Sequence, residues 1–344
     1  MRKTAFVLCV AAGVAVMSVW AGTAQAAVGA DKIEKVKKAL PEKPPAQPSK
    51  QHKILIYSYC GGFVHGGAIE MAKVVLPMMG EKSGAFTAVV SDDLSNFEPD
   101  KIKEFDAIVL SNTTGELLKA KAPRKPRAPD AKKVKDAAKL QQAMEKYQKD
   151  LAAFEEEVKK AQGQPDRSEA LRQSLMDWIK AGGGIIGIHA ATDCSYQWKE
   201  YGEMLGGWFA GHPWNTLVPV KNDDPTNPIN AAFGGKGFEV GDEIYQFNRG
   251  IYSREKQRVL LSLDYEKMQA SDKPALKKQG SRKDGDYAVS WVKMHGKGRV
   301  FYCSLGHGDA IFWNPQVLQH YLAGIQWVLG DLKGVETAPN PIQK

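Results

Sequence analysis

Gly182-Gly183-Gly184-Ile185-Ile186-Gly187-Ile188-His189-Ala190-Ala191-Thr192-Asp193 is the stretch on which the fold turns. Just upstream, Ser168–Ala181 carries its apolar residues at helical spacing, and the glycines that follow close that helix. From 184 to 190 the chain is almost wholly apolar until His189, as expected of a strand buried on both faces. A helix, a glycine break, a doubly buried strand and then His, Thr and Asp describe half of a βαβ unit. Its polar residues fall at the carboxyl end of the strand, where open α/β sheets bind their ligands.

The same alternation runs outward in both directions. Upstream, strands are expected at 53–59, 86–91 and 105–111, with helices at 67–81 and 99–104 between them. Downstream, a helix at 197–205 is followed by strand-like runs at 217–220, 243–247, 258–263, 287–292 and 299–305. A last helix, Pro315–Leu329, stops at Gly330. The expected fold class is α/β: a flavodoxin-like three-layer sandwich, its sheet mostly parallel, with added antiparallel strands and a helical insertion. It is expected to occupy 53–334, leaving a tail at 335–344.

The insertion is 119–167. It opens with Lys119, Lys121, Arg124, Lys125 and Arg127 among prolines and alanines, then turns helical. Ala137, Leu140, Met144, Tyr147, Leu151, Phe154 and Val158 recur every three or four residues, which is the seam of a helix packing on a helix. Such an arm suits packing on its own domain or self-association with a second copy.

The first residues read differently. Arg2 and Lys3, an apolar run from Ala5 and an Ala24-Gln25-Ala26 motif have the order of a secretory signal, expected at 1–26 and cleaved rather than kept as an anchor. The product is then exported, periplasmic or secreted, and soluble. Residues 27–52 hold six Lys and Pro41, Pro44, Pro45 and Pro48, which reads as an extended tether. The formal charge of +8 is concentrated in this tether and the insertion, leaving the presumptive domain slightly acidic. Without a basic face on the domain, no nucleic-acid partner is expected. Cys60, Cys194 and Cys303 follow no zinc-ribbon or CxxC spacing, and their pairing is open.

The residues able to do chemistry gather at the expected carboxyl edge. Phe63 and His65 follow the first strand; His189 and Asp193 end the strand at 184–190; His307 follows the last strand. His212 follows a Leu205-Gly206-Gly207-Trp208-Phe209 run, and Asp242-Glu243-Ile244-Tyr245 and Trp291 complete the set. Taken singly, a histidine at a strand end is as readily a structural hydrogen-bonding residue, and the tryptophans are as readily core. Their concentration at one edge is what points to a site. Two readings are open. His189, His212, Glu243 and His307 offer the imidazole and carboxylate donors that suit zinc, manganese or iron. Alternatively, His189, Asp193, Glu243 and Tyr245 perform metal-free acid/base chemistry. No GxGxxG fingerprint or P-loop occurs, so no nucleotide cofactor is expected.

Several stretches in this order resemble the trehalose-utilisation ThuA-like family, whose fold is that of the class I glutamine amidotransferases. They are Gly62-Phe63-Val64-His65, the glycine-to-Asp193 stretch, Leu205 through Pro213, Asp242-Glu243-Ile244-Tyr245, and Gly298 through His307. The insertion lies outside the usual pattern, and Val64 stands where an Arg commonly precedes the His. The turn that holds a cysteine nucleophile in the amidotransferases holds His189 here, and Cys194 lies five residues on. A cysteine-dependent amidase is therefore not expected. The resemblance implies carbohydrate catabolism: an enzyme acting on a disaccharide, glycoside or keto-sugar by isomerase, lyase or hydrolase chemistry. Phe63, His65, Trp208, Trp291 and His307 would then bind substrate, and a separate sugar dehydrogenase would supply any redox step. The competing reading is a non-catalytic carbohydrate-binding protein.

Overall fold

The computed structural model describes residues 28–119, 125–131, 134, 136–162, 166–248, 250–273 and 284–342. The signal expected at 1–26 lies outside the described residues. In chain order the elements are α1 (Ala30–Ala39), β1 (Lys53–Tyr57), α2 (Gly66–Ser83), β2 (Thr87–Val90), β3 (Ala107–Ser111), α3 (Ala137–Ala161), α4 (Ser168–Ala181), β4 (Gly184–Ile188), α5 (Lys199–Leu205), β5 (Phe209–Asn222), β6 (Phe238–Phe247), β7 (Arg258–Leu263), β8 (Ala288–His295), β9 (Gly298–Cys303) and α6 (Pro315–Leu329). The described residues divide into two compact units, one within 28–117 and 174–342 and one within 118–173.

The larger unit is organised by one nine-stranded sheet of order β2-β1-β3-β4-β9-β8-β7-β5-β6. The first five strands are parallel to their neighbours, in the flavodoxin-like order with β9 as fifth strand. The other four pairings are antiparallel. All five residues of β4 are buried, as its unbroken apolar sequence requires. Gly187 is there for space: a Cβ on it would lie 2.7 Å from Leu205 Cδ1 and 2.8 Å from Tyr302 Cδ2. On the neighbouring strand, Phe301 reaches α6 at Gly324, where a Cβ would stand 2.6 Å from the ring. Helix α6 starts on Asn314, whose side chain accepts from the N–H groups of Gln316 and Val317, and ends at Gly330 in the left-handed region.

The segment expected to be an extended tether is instead part of the domain. Val28, Ile33, Val36 and Leu40 are buried in the main hydrophobic core, Ile33, Val36 and Leu40 at helical spacing along α1 and its end. The prolines then carry the chain past α6. Ala46 exchanges two hydrogen bonds with the Gln326 amide (2.9 and 2.7 Å), and Ser49 N–H donates to Asp331 at 2.8 Å. His52 lies buried between Asp106 (3.1 Å) and Asp331 (3.2 Å). The Lys/Pro composition concealed four apolar anchors and a run whose backbone is paired by side chains.

Two strands are longer than expected. β5 and β6 form an antiparallel ribbon over 209–222 and 238–247, broken by register shifts around Gly211. The added residues, 209–216 and 238–242, mix buried Trp214, Val240 and Asp242 with exposed Asn215, Thr216, Glu239 and Gly241, so they lack the apolar runs that marked 217–220 and 243–247. The smaller unit holds α3, a continuous helix of 25 residues capped by Asp136. The expected seam falls on it, with Met144 39% exposed. No disulfide joins Cys60, Cys194 or Cys303, all of them buried. No helix among the described residues is long and apolar enough to cross a membrane.

His320 of α6 is fully buried, with Nδ1 donating to the Ile229 carbonyl (3.2 Å) and Nε2 facing Ser290 Oγ (2.9 Å). Burial pushes its imidazole down to about 4. The folded protein thus keeps this ring neutral where the unfolded chain protonates it. Its contribution is complete above pH 6.5 and is lost as pH falls from 6.5 to about 4, at a cost of up to about 3 kcal/mol. Chemical denaturation at pH 7 and pH 4.5 is expected to show a smaller acid penalty in His320→Gln than in the wild type. Val36→Ala is expected to cost about 2 kcal/mol, against no measurable change for the exposed Lys38→Ala. Equal stability of the two would return residues 28–40 to the role of a tether.

Candidate functional site

Four elements deliver the site. β4 ends at Ile188, and the chain turns sharply at His189, whose φ of 49° is left-handed and unusual for a residue with a Cβ. Tyr302 Oη donates to the His189 carbonyl (2.7 Å) and holds that turn against β9. The ring of His189 is fully buried, and its Nδ1 lies 2.6 Å from the Ser304 carbonyl. A carbonyl only accepts, so Nδ1 carries the proton and Nε2 is the atom offered to the site.

Around Nε2 stand Glu243 Oε2 at 3.5 Å and His307 Nδ1 at 3.3 Å, and these two are themselves 3.3 Å apart. The second carboxylate oxygen, Glu243 Oε1, is 3.1 Å from His212 Nδ1. His65, which ends the loop after β1 and opens α2, packs edge-on against both His189 (5.1 Å between ring centres) and His307 (5.2 Å). His65, His189, Glu243 and His307 each present one ligand atom, all within 4.8 Å of one another.

Glu243 reaches this cluster from β6, the last strand in the sheet order. The β5–β6 ribbon therefore turns back over the carboxyl edge of β4 and β9. The preceding residue, Asp242, fastens it there: its carboxylate accepts from the backbone N–H groups of Gly306 (2.6 Å), His307 (3.3 Å) and Gly308 (2.8 Å). One pair of adjacent acids thus does two jobs, Asp242 holding the loop that carries His307 and Glu243 facing the imidazoles.

The charges follow from these contacts. Burial works against ionisation of Glu243, but the imidazoles of His189 and His307, in their protonated forms, outweigh it and hold the carboxyl well below its usual range. The same contact raises His307 above the ordinary histidine value. Burial, with the neighbouring imidazoles, pushes His65 down to about 4. Asp193 is raised by burial, against a hydrogen bond from Tyr196 Oη at 2.6 Å. Beside the cluster lies an open cleft of about 390 Å³ between Phe63, His65, Gly67, His307 and Asp309. Phe63 stands at its rim, 67% exposed, and Lys32 of α1 bonds Asp309 at 2.5 Å.

A family model described as ThuA, trehalose utilisation, matches residues 131–328, more than half of the chain. The chain belongs to the ThuA family. A carbohydrate-related function comes with that membership. A ThuA-like protein of Bacteroides uniformis ATCC 8492 shares the fold at 21% identity, with a TM-score of 0.56 over 86% of this chain and 98% of that one. A second, from Parabacteroides merdae ATCC 43184, is 15% identical, with a TM-score of 0.48 over 83% and 92%. No curated protein matches the chain significantly.

The ThuA chain brings most of the expected residues together and moves others. His65, expected to bind substrate, stands in the donor cluster, whereas His212 touches it only through Glu243 and is 47% exposed. Trp291 does not reach the cleft: it is fully buried, donates to the Leu205 carbonyl (2.9 Å) and packs on Tyr302, so it is core and no sugar platform. Tyr245 is 2% exposed and lies 4.2 Å from the His189 ring, a wall that fixes the imidazole; burial pushes its hydroxyl far up, which unfits it as a proton carrier. Trp208 is half-buried beside Tyr196, at 5.8 Å. The roles of Asp242, Tyr196 and the Ser304 carbonyl were not foreseen. A backbone acceptor has no sequence signal, though an Asp directly before a site Glu is a hint.

Asp242→Ala leaves three backbone N–H groups without their acceptor at a mostly buried place, at an expected cost of about 3 kcal/mol. Hydrogen exchange at Gly306 and Gly308 should accelerate in this variant before the rest of the sheet does. Unchanged protection at both amides would show that Asp242 does not hold the loop.

Proposed function

We propose that this ThuA protein is an exported, non-redox enzyme of carbohydrate catabolism. Its substrate is a disaccharide, a glycoside or the keto form of one, and its chemistry is of isomerase, lyase or hydrolase type. The observation that carries the proposal is His189: a buried imidazole on the turn after β4, its Nδ1–H spent on Ser304, its Nε2 turned toward Glu243 and His307 beside a cleft.

In that setting His189 Nε2 is suited to take a proton from a sugar hydroxyl, a water or a carbon next to a carbonyl. Asp193, its carboxyl raised by burial and one oxygen held by Tyr196, is suited to hand a proton back. The cleft is within the size range of small-molecule sites. A thiol mechanism has no support here, since burial pushes Cys194 and Cys303 up to about 12. Absence of a nucleotide-binding motif from the sequence favours a separate sugar dehydrogenase as the partner for any redox step. The signal-like order of residues 2–26 supports export.

A panel of disaccharides, glycosides and their keto forms, incubated with the mature protein, tests the reading. Turnover of at least one is expected, reduced roughly 10²- to 10⁴-fold in His189→Ala without loss of the folded spectrum. Full turnover in that variant would remove His189 from the chemistry. The exposed Phe63 ring favours one other reading, a carbohydrate-binding protein. In that case no sugar is converted, Phe63→Ala weakens binding and His189→Ala does not.

A further inference from the structure

We propose that His65, His189, Glu243 and His307 form a binding site for one divalent transition-metal ion. The inference deepens the sugar-processing reading of this site and rests on it only for what the ion would do in turnover; with Nε2 of His189 committed to the ion, the proton-accepting role given to that nitrogen in the metal-free site would no longer be open to it.

Distances carry the first part of the argument. Charge-assisted hydrogen bonds between an imidazole and a carboxylate run at about 2.7–2.9 Å. Glu243 Oε2 stands 3.3 Å from His307 Nδ1 and 3.5 Å from His189 Nε2, both longer than that, and the two nitrogens are 3.3 Å apart. Ligands about 2.0–2.1 Å from a tetrahedral ion stand about 3.4 Å from one another, by the geometry of the tetrahedron. The triangle fits an ion's coordination edges better than it fits a set of hydrogen bonds.

Donor chemistry carries the second part. His189 Nδ1–H is committed to the Ser304 carbonyl, the arrangement by which metal-binding histidines have their tautomer fixed and their free nitrogen aimed. Glu243 divides its oxygens, Oε1 toward His212 and Oε2 toward the cluster, which sets up one-oxygen ligation with His212 as the outer support. His65 is 8% exposed, and its Nδ1 has no hydrogen-bond partner. Its ring packs edge-on against Phe63, His189 and His307, so this buried nitrogen faces a group of imidazoles whose one carboxylate partner, Glu243, is already shared among His189, His307 and His212. Imidazole and carboxylate donors together select zinc, cobalt, nickel, manganese or iron over calcium or magnesium. Such an ion, when bound, polarises a substrate oxygen or activates a water.

The test uses full-length mature protein without an affinity tag, stripped with a chelator and dialysed in turn against zinc, cobalt, nickel and manganese chloride. Wild type is expected to keep one equivalent through gel filtration, read by elemental analysis, and the cobalt form to show the intense visible bands of a low-coordinate site. Glu243→Gln and His307→Ala should each weaken retention at least 100-fold, and His212→Ala by about 10- to 100-fold. Phe63→Ala, at the rim, should retain metal as wild type does. Circular dichroism separates a lost ligand from a lost fold, and Glu243→Gln serves where an alanine variant unfolds. No stoichiometric retention of zinc, cobalt, nickel or manganese by folded wild type would overturn the proposal. So would equal retention by folded Glu243→Gln and His307→Ala. Sugar turnover by protein that retains no metal overturns this inference and leaves the sugar-processing reading standing. Metal retention by protein that acts on no sugar upholds the inference and removes the other.

Discussion

The hydrogen bond from His189 Nδ1 to the Ser304 carbonyl is the constraint on which the site depends. It joins the carboxyl ends of β4 and β9, neighbours in the parallel sheet. What the bond adds is direction: it turns one ring nitrogen inward to the fold and leaves the other facing Glu243 and His307. The left-handed backbone at His189 is part of the same arrangement, since a residue in ordinary extended conformation would continue the strand. The local cost of that turn is met by Tyr302, which bonds the same residue's carbonyl.

Distant parts of the chain then converge on a fixed point. The parallel half of the sheet supplies His65, His189 and His307 from the ends of β1, β4 and β9. The antiparallel half supplies Glu243, the carboxylate that faces their rings, through a ribbon that turns back over the edge. Asp242 is what makes that return stable, because it pairs backbone donors of the loop bearing His307. The N-terminal segment joins the same edge through Lys32 and Asp309. Fold stability and site geometry are therefore not separable here: the residue that anchors the ribbon stands next to the one that faces the imidazoles.

Much of this was legible in the sequence, and the limits have physical reasons. α4, β4, β7 and α6 fall where they were expected, because a doubly buried strand or an amphipathic helix leaves an unbroken apolar pattern. Residues 209–216 and 238–242 of the β5–β6 ribbon were invisible, because glycine, proline and exposed polar residues interrupt their apolar pattern. Residues 27–52 misled through composition: many lysines and prolines outweighed Val28, Ile33, Val36 and Leu40, although three of these recur at helical spacing. Within the site, His189, Glu243 and His307 were legible as polar residues at one sheet edge. Trp291 was not, since a tryptophan in a strand near a site reads alike whether it faces the cleft or the core. The exchange of His65 for His212 in the cluster depends on side-chain direction, which spacing does not encode.

The central claim is that His189 Nε2, Glu243 Oε2 and His307 Nδ1 face one small volume at the carboxyl edge of the sheet. Anomalous diffraction at the zinc edge, from crystals grown with one equivalent of zinc, tests it most directly. The account predicts one peak about 2.0–2.2 Å from all three atoms, with His189 Nδ1 still bonded to Ser304. A map with no peak there, and with the His189 ring turned away from Ser304, would contradict it.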